Sequence, residues 1–241
     1  MEILFYVFLG LAVIMAGVFI AFSNGQKSLK PLIFKAIASF LFTLVALFAC
    51  FSNGFGAGLG TNLNIAALLF ILGFVASCFG DVILALPDWE RNQDIKQKLI
   101  LSGGLAFTVA HVCYFIGMVL IYGFAWYVVL MALAFAAFFY LFNTQVLKSD
   151  FGPMKYGIMI YAFFVSFVAC QGIYALIALG FGIYALFIAL GFLLFYASDV
   201  VLMNIYFGKG DESRNRKAYY YNLAFYYLAQ ILLAASLFFL I

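Results

Sequence analysis

The sequence predicts an all-α integral membrane protein, a single transmembrane domain over residues 1–241. Two observations favour this class. Of the residues, 68% are hydrophobic and 9% are charged, whereas soluble domains have about 45–50% apolar and about 25% charged residues. The apolar runs are long and lack the alternation of strands, so their backbone hydrogen bonds are satisfied by helices rather than by a barrel.

Eight segments reach about 20 residues, the length that crosses a bilayer. In chain order, helices 1 to 8 are predicted at Glu2–Phe22, Pro31–Ser52, Leu63–Leu86, Leu99–Tyr122, Phe124–Phe142, Lys155–Ala178, Gly182–Phe207 and Ala218–Ile241. Turns are predicted at Ser23-Asn24-Gly25, Asn53-Gly54, Pro87-Asp88, Gly152-Pro153 and Gly208-Lys209-Gly210. No basic region precedes helix 1, which argues against a cleaved signal peptide.

The distribution of positive charge predicts the orientation. All lysines and arginines fall in the odd-numbered loops or near helix ends beside them: Lys27, Lys30, Lys35, Arg91, Lys96, Lys98, Lys148, Lys155, Lys209, Arg214, Arg216 and Lys217. The positive-inside rule therefore places the odd loops in the cytoplasm and both termini outside. Trp89 and Trp126 fall at segment ends, where interfacial aromatics are expected. The short loops and minimal termini favour a bacterial inner membrane.

An internal match relates the two halves of the chain. The pairs Leu72-Gly73-Phe74 and Leu190-Gly191-Phe192, Gly80-Asp81 and Ser198-Asp199, and Leu105-Ala106-Phe107 and Leu223-Ala224-Phe225 are each separated by 118 residues. Lys35 and Cys50 match Lys155 and Cys170 at a separation of 120 residues. Because four helices restore the helix direction, we expect a parallel 4+4 repeat with halves of about 1–122 and 123–241.

Asp81 and Asp199 are the leading candidates for function. A charge in hydrocarbon costs at least a few kcal/mol, so an intramembrane carboxylate indicates a functional site. At 1.5 Å per residue, both are expected roughly 8–12 Å inside the cytoplasmic boundary. A structural ion pair with Lys35 is the plainer alternative, but one lysine cannot neutralise both acids.

Other polar side chains share helix faces with these acids. The stripes comprise Lys35, Ser39 and Thr43; Ser77 and Asp81; Phe107, His111 and Tyr114; Tyr196, Asp199 and Tyr206; and Asn222, Tyr226 and Gln230. They predict a cavity in the inner half of the membrane. Structural alternatives remain open: Lys35 reaching the interface, His111 bonding a carbonyl, and Asn222 and Gln230 holding helices together. Close packing is the simpler interpretation of Gly73, Gly80 and Gly191.

Several chemistries are not indicated. The single histidine cannot form a three-histidine zinc site, and Cys50, Cys78, Cys113 and Cys170 lack metal-ligand or redox spacing. The basic residues are dispersed, so nucleic acid is not an expected partner. We expect no metal and no cofactor.

In this order the residues resemble the YhhN family of membrane proteins, whose characterised animal members are lysoplasmalogenases. The resemblance covers nearly the whole chain and rests on Phe34-Lys35, Gly80-Asp81, Phe107-x-x-x-His111-x-x-Tyr114, Leu194-Phe195-Tyr196-Ala197-Ser198-Asp199 and Tyr226-Tyr227-x-x-Gln230. Ala36 departs from the family, which often has proline after the lysine. The resemblance implies hydrolysis of the vinyl-ether bond of a lysoplasmalogen, giving a fatty aldehyde and a glycerophospho-ethanolamine or glycerophospho-choline.

Under this resemblance Asp81 and Asp199 are catalytic. Vinyl-ether hydrolysis begins with protonation of the β-carbon and passes through an oxocarbenium ion, so one carboxyl acts as the acid. The other, ionised, stabilises the cation and accepts a proton from water, as in glycoside hydrolysis; the sequence leaves open which is which. The residues expected to bind substrate are Lys35, His111, Tyr114, Ser198, Tyr227 and Gln230. The expected partners are a lysophospholipid or similar amphiphile and membrane lipid.

Two other functions fit the same residues. Repeats with intramembrane carboxylates also occur in proton-coupled transporters, although the short loops and unbroken helices argue against rocking halves. A non-catalytic protein that binds or senses lipid is the second alternative, because family membership does not guarantee activity. The oligomeric state is open.

Overall fold

The computed structural model describes residues 1–22, 29–56, 60–88, 90–178, 180–209 and 212–239. Its eight long helices are α1 (Glu2–Phe22), α2 (Leu29–Ser52), α3 (Thr61–Ala85), α4 (Gln93–Tyr122), α5 (Tyr127–Leu141), α6 (Lys155–Ala178), α7 (Ile183–Phe207) and α8 (Glu212–Ser236). Each has the length and apolarity needed to cross a membrane, α5 only together with the turn that continues it to Val146. The prediction of an all-helical chain with eight membrane-length helices is therefore confirmed for the described ranges.

Short irregular turns complete the described chain. A π-helical turn, Phe142–Val146, continues α5, and single 3₁₀ turns follow α3, precede α6 and follow α8. The predictions for Ser23-Asn24-Gly25, Lys27, Trp89 and Gly210 lie outside the described residues.

The largest differences from the predicted boundaries are at the starts of α4 and α8, and α4 begins at Gln93 rather than Leu99. Asn92 caps the helix, and its side-chain oxygen accepts hydrogen bonds from the backbone N–H groups of Asp94 and Ile95 at 2.9 and 3.4 Å. Hydropathy reports the part of a helix that crosses the apolar layer, so it misses polar turns that continue beyond it. α8 likewise begins at Glu212, before the predicted Ala218.

The helices pack mainly against their neighbours in the chain. α1 packs on α2, α2 on α3 and α3 on α4, and the same succession holds for α5 to α8. Across the bundle, α4 packs against α6 and α2 against α8. If α1 to α4 are matched in order with α5 to α8, then α2 corresponds to α6 and α4 to α8. The α4–α6 contact is therefore the counterpart of the α8–α2 contact. Six helices, α2 to α4 and α6 to α8, thus surround the centre of the bundle.

Glycines allow the closest helix approaches. A Cβ atom at Gly80 would lie 2.7 Å from the Phe107 ring, and one at Gly191 would lie 2.7 Å from Leu233. Gly73 faces the ring of Tyr114 in the same way. The close-packing interpretation of these three glycines is confirmed. Gly73 and Gly80 lie on α3, the helix that carries Asp81, and they allow Tyr114 and Phe107 of α4 to pack directly against it.

Apolar side chains cover the outside of the bundle, and polar groups lie within it. Ile3, Phe79 and Leu105 are 78%, 63% and 65% exposed, whereas Asp81 and Asp199 are 2% and 3% exposed. This is the reverse of a soluble protein, in which charged side chains are almost never fully buried unless paired. The centre of the bundle is therefore where the chemistry of the chain is concentrated.

Candidate functional site: two buried carboxylates

Asp81 lies in the last two turns of α3 and has three partners. The Ser39 hydroxyl from α2 and the Tyr226 hydroxyl from α8 donate to its Oδ2 at 2.5 and 2.6 Å. The Lys35 ammonium lies 3.4 Å from its Oδ1. A buried carboxylate needs both a counter-charge and hydrogen-bond donors to offset its lost hydration. Asp81 has both and is in the environment of an ionised group.

Asp199 on α7 has a different environment. The Tyr161 hydroxyl from α6 donates to its Oδ2 at 2.6 Å. Among the lysine and arginine side chains that the structure describes, none lies at ion-pair distance from this carboxyl. The two acids, although they match in sequence, are therefore not equivalent in structure.

An aromatic cluster around Phe195 contacts the neighbours of both carboxylates. Its ring centroid lies 4.7 Å from that of His111, 5.4 Å from that of Tyr226 and 5.8 Å from that of Phe107. Tyr226 donates to the first acid, and the His111 ring packs against Tyr161, the donor to the second. No hydrogen bond joins the two carboxyls among the described contacts, so the acids adjoin one aromatic region without being a directly bonded pair.

His111 presents a free acceptor to this region. Its Nδ1 lies 2.6 Å from the backbone oxygen of Phe107. A carbonyl only accepts, so Nδ1 carries the hydrogen and Nε2 of the neutral ring is an acceptor. Nε2 is buried and has no partner in the described part of the chain. The structural alternative for His111, a bond to a carbonyl, is therefore present, but it uses only Nδ1 and leaves Nε2 available. The ring centroids of His111 and Tyr161 are 5.8 Å apart.

Two α8 residues add further unpartnered atoms. The Gln230 amide donates to the Tyr226 hydroxyl at 3.1 Å, which connects it to Asp81. Its Oε1 and the Tyr227 hydroxyl are buried without partners among the described residues. Each unsatisfied buried polar group costs about 1–3 kcal/mol. The Gln230 oxygen, which the Tyr226 hydroxyl connects to Asp81, therefore indicates a place for a polar substrate group or water near that acid.

Three other predicted site residues contact protein groups. Tyr114 is fully buried, with its hydroxyl 3.4 Å from the Ser77 hydroxyl. Ser198 donates to the Asn222 carbonyl at 3.1 Å and accepts from the Asn222 amide at 2.8 Å, which joins α7 to α8. Lys35 faces Asp81 rather than the interface. Substrate contacts by these three stay predictions.

Three donors to the carboxylates were not among the predicted site residues. Ser39 and Tyr226 lie on polar stripes that the sequence displays, so their faces were recognisable. Tyr161 lies on α6, where no polar stripe was predicted, although 118 residues separate it from Thr43 of the α2 stripe. Its role depends on how α6 meets α7, which helical periodicity does not specify.

The fold and site together define a multi-pass helical protein with an acid site in its apolar interior. No group of three or more histidine, cysteine or carboxylate side chains lies close enough to hold a metal within the part of the chain that is described. The chain belongs to the YhhN family, whose sequence model matches residues 30–237 of 241. The match spans both carboxylates and every predicted site residue. Neither curated proteins nor solved structures gave a match.

Proposed function

We propose that the protein is a membrane hydrolase of the lysoplasmalogenase type, which cleaves the vinyl-ether bond of a lysoplasmalogen. The observation that supports this most strongly is the pair of buried carboxylates with unlike partners. The reaction requires an acid that protonates carbon and a negative charge near the resulting cation. Membership of the YhhN family is consistent with this chemistry.

Asp199 is the acid in this proposal. A buried carboxyl without a cation is more stable neutral than charged, whereas Asp81 has Lys35 beside it. Asp199 transfers its proton to the β-carbon of the alkenyl chain, and the carbon–carbon double bond supplies the electron pair. The other alkenyl carbon and its ether oxygen then share the positive charge, which the ionised Asp81 stabilises.

Water completes the reaction. His111 Nε2, the unpartnered acceptor, orients a water that adds to the cation, and the proton released returns to the Asp199 carboxylate. The hemiacetal hydroxyl then loses its proton as the bond to the glycerol oxygen breaks, and that oxygen takes up a proton, giving aldehyde and alcohol. From the sequence, we expected the carboxylate that stabilises the cation also to accept the proton from water. We assign proton acceptance to Asp199 instead, because three donors already occupy the oxygens of Asp81.

The membrane setting is part of the same proposal. The eight apolar helices support insertion into a membrane. The lysines and arginines of the odd-numbered loops support a cytoplasmic position for these loops, with both termini outside. The membrane that we propose is a bacterial inner membrane. The equivalent packing succession in α1 to α4 and α5 to α8 supports the 4+4 parallel repeat. In that repeat Asp81 and Asp199 occupy the third helix of each half.

The test is aldehyde release from lysoplasmalogen by the purified protein. In D₂O the aldehyde should carry one deuterium on the carbon next to the carbonyl, because the acid protonates that carbon. Asp81→Asn and Asp199→Asn should each abolish release, while Asp94→Asn, at an exposed acid near the start of α4, should not. Aldehyde without deuterium would refute the acid step.

The alternative functions give other results in the same preparation. Wild-type protein that binds the lipid without forming product would indicate a binding protein. A substrate-driven pH change in sealed vesicles without product would indicate a transporter.

A further inference from the structure

A cavity of about 300 Å³ lies between α4, α6 and α7 near the end of α3, and its lining includes Tyr161, the hydrogen-bond partner of Asp199. Its walls are mainly aliphatic and aromatic; they include Leu101, Leu105, Ile158, Ile160, Leu202 and Met203. The volume is at the lower end of the range for small-molecule sites, about 300–1,000 Å³.

The cavity offers almost no polar surface to a ligand. Three hydroxyl side chains line it, and each donates to another protein group. Thr108 donates to the Gly104 carbonyl at 2.9 Å, Tyr206 to the Leu84 carbonyl at 3.1 Å, and Tyr161 to Asp199. No charged side chain is among its described walls. Its chemistry therefore suits hydrocarbon and excludes a phosphate or sugar headgroup.

The cavity extends from the apolar outer face of the bundle to the active site. Leu105 and Ile160 form its outer rim and are 65% and 59% exposed. Phe107 and Tyr161 form its inner end and are 4% and 6% exposed. The Tyr161 hydroxyl contacts Asp199, so the inner end meets the proposed catalytic acid.

We propose that this cavity holds the hydrocarbon chain of the substrate. The reactive end of the chain lies at Tyr161 and Asp199, and the methyl end passes between α4 and α6 into the bilayer. The identity of the lipid rests on the proposed function, but the position of the chain does not. At roughly 30 Å³ for a group the size of water, the cavity holds about ten methylene-sized groups. Longer chains extend beyond the rim.

Gly104 provides a direct test because it lines the cavity and a Cβ atom there would have nothing within 4 Å. Gly104→Phe therefore fills the cavity without an initial clash. Gly17 on α1 is the matched control, a helical glycine that also has nothing within 4 Å of a built Cβ. Each variant adds the same ring, but only one adds it to the cavity.

The assay is photo-crosslinking with a lysophospholipid that carries a diazirine on its chain, followed by mass spectrometry of the labelled peptides. We expect labels on Phe107 and Tyr161, which lipid outside the bundle cannot reach. Labelling of these two should persist in Gly17→Phe and fall about tenfold in Gly104→Phe, the loss expected when two buried methylene groups are displaced.

Labels spread evenly over the outer helix faces, or inner labels unchanged in Gly104→Phe, would overturn the proposal. The wild-type map alone decides the matter if the variant does not fold. Labels on Phe107 and Tyr161 without aldehyde release from lysoplasmalogen would refute the proposed hydrolase and support the cavity as the site of the chain. Aldehyde release with labels only outside the cavity would overturn the cavity as the site of the chain and support the hydrolase.

Discussion

Replacing each carboxylate by asparagine should cost very different amounts of stability. Asp81→Asn leaves the Lys35 ammonium, 3.4 Å away and 16% exposed, beside a neutral amide. At an effective dielectric constant of 20, the lost attraction at that distance is about 5 kcal/mol. Because lysine can extend toward the interface and recover some hydration, we expect a net cost of about 2–4 kcal/mol.

Asp199→Asn should cost about 1 kcal/mol, because the amide oxygen still accepts the Tyr161 hydroxyl and no cation loses its partner. The measurement is thermal unfolding of both variants in one detergent. At about 2–4 °C per kcal/mol for a chain of this size, Asp81→Asn should lower Tm by about 4–16 °C and Asp199→Asn by about 2–4 °C.

A double variant separates the ion pair from other effects. Lys35→Met in the Asp81→Asn background removes the second charge as well, so it should recover most of the lost stability. Equal Tm values for the two asparagine variants would refute the reasoning. A double variant as unstable as Asp81→Asn would refute it too, because the ammonium would then not be the source of the cost.

Three further changes test the surroundings of the acids. Tyr161→Phe removes the donor that stabilises the acid after it loses its proton, so kcat for aldehyde release should fall about 10–100-fold. The buried Asp199 oxygen also loses its donor, at a cost of about 1–3 kcal/mol, so Tm should fall by about 2–12 °C. An unchanged kcat would contradict this role. His111→Phe removes the acceptor that orients water and should lower kcat for aldehyde release about 100-fold. Crosslinking of the lipid to this variant should persist. If both kcat and crosslinking fell, His111 would instead have a role in binding. Gly80→Ala places a Cβ atom 2.7 Å from the Phe107 ring and should lower the free energy of unfolding by about 1–3 kcal/mol. The control is Gly104→Ala, whose Cβ atom meets nothing within 4 Å. Equal Tm values for the two variants would contradict the packing argument.

The elements of the fold were predictable because each helix must satisfy its backbone internally in an apolar layer. Glu2–Phe22 and Lys155–Ala178 have the predicted bounds. The errors occur where helices leave that layer. α4 gains its first turns from the Asn92 cap, and α5 continues into the π-helical turn Phe142–Val146, neither of which hydropathy reports.

The site was predictable only within each helix. Period 3.6 indicated which side chains share a face, and it identified the stripe that contains Tyr226 and Gln230. It does not specify which residue of a second helix meets that face. The Tyr161–Asp199 and Ser39–Asp81 hydrogen bonds depend on the rotation and height of α6 and α2 against their neighbours. These contacts decide how the two acids differ, and they required the structure.

The two lysines that match in sequence lie in different surroundings. Lys35 and Lys155 are separated by 120 residues, close to the 118 that separate the aspartates. The Lys35 ammonium lies 3.4 Å from Asp81, whereas Lys155 is exposed and its ammonium lies 5.6 Å from the centroid of the Tyr140 ring.

The described partner of Asp199 is a neutral hydroxyl, that of Tyr161. In the proposed mechanism, two carboxylates that match in sequence have opposite tasks. One is stabilised as an anion by its lysine, and the other is left free to hold a proton. A second lysine beside Asp199 would give two anions and no acid. The different positions of the two lysines are therefore the feature on which the proposed mechanism depends.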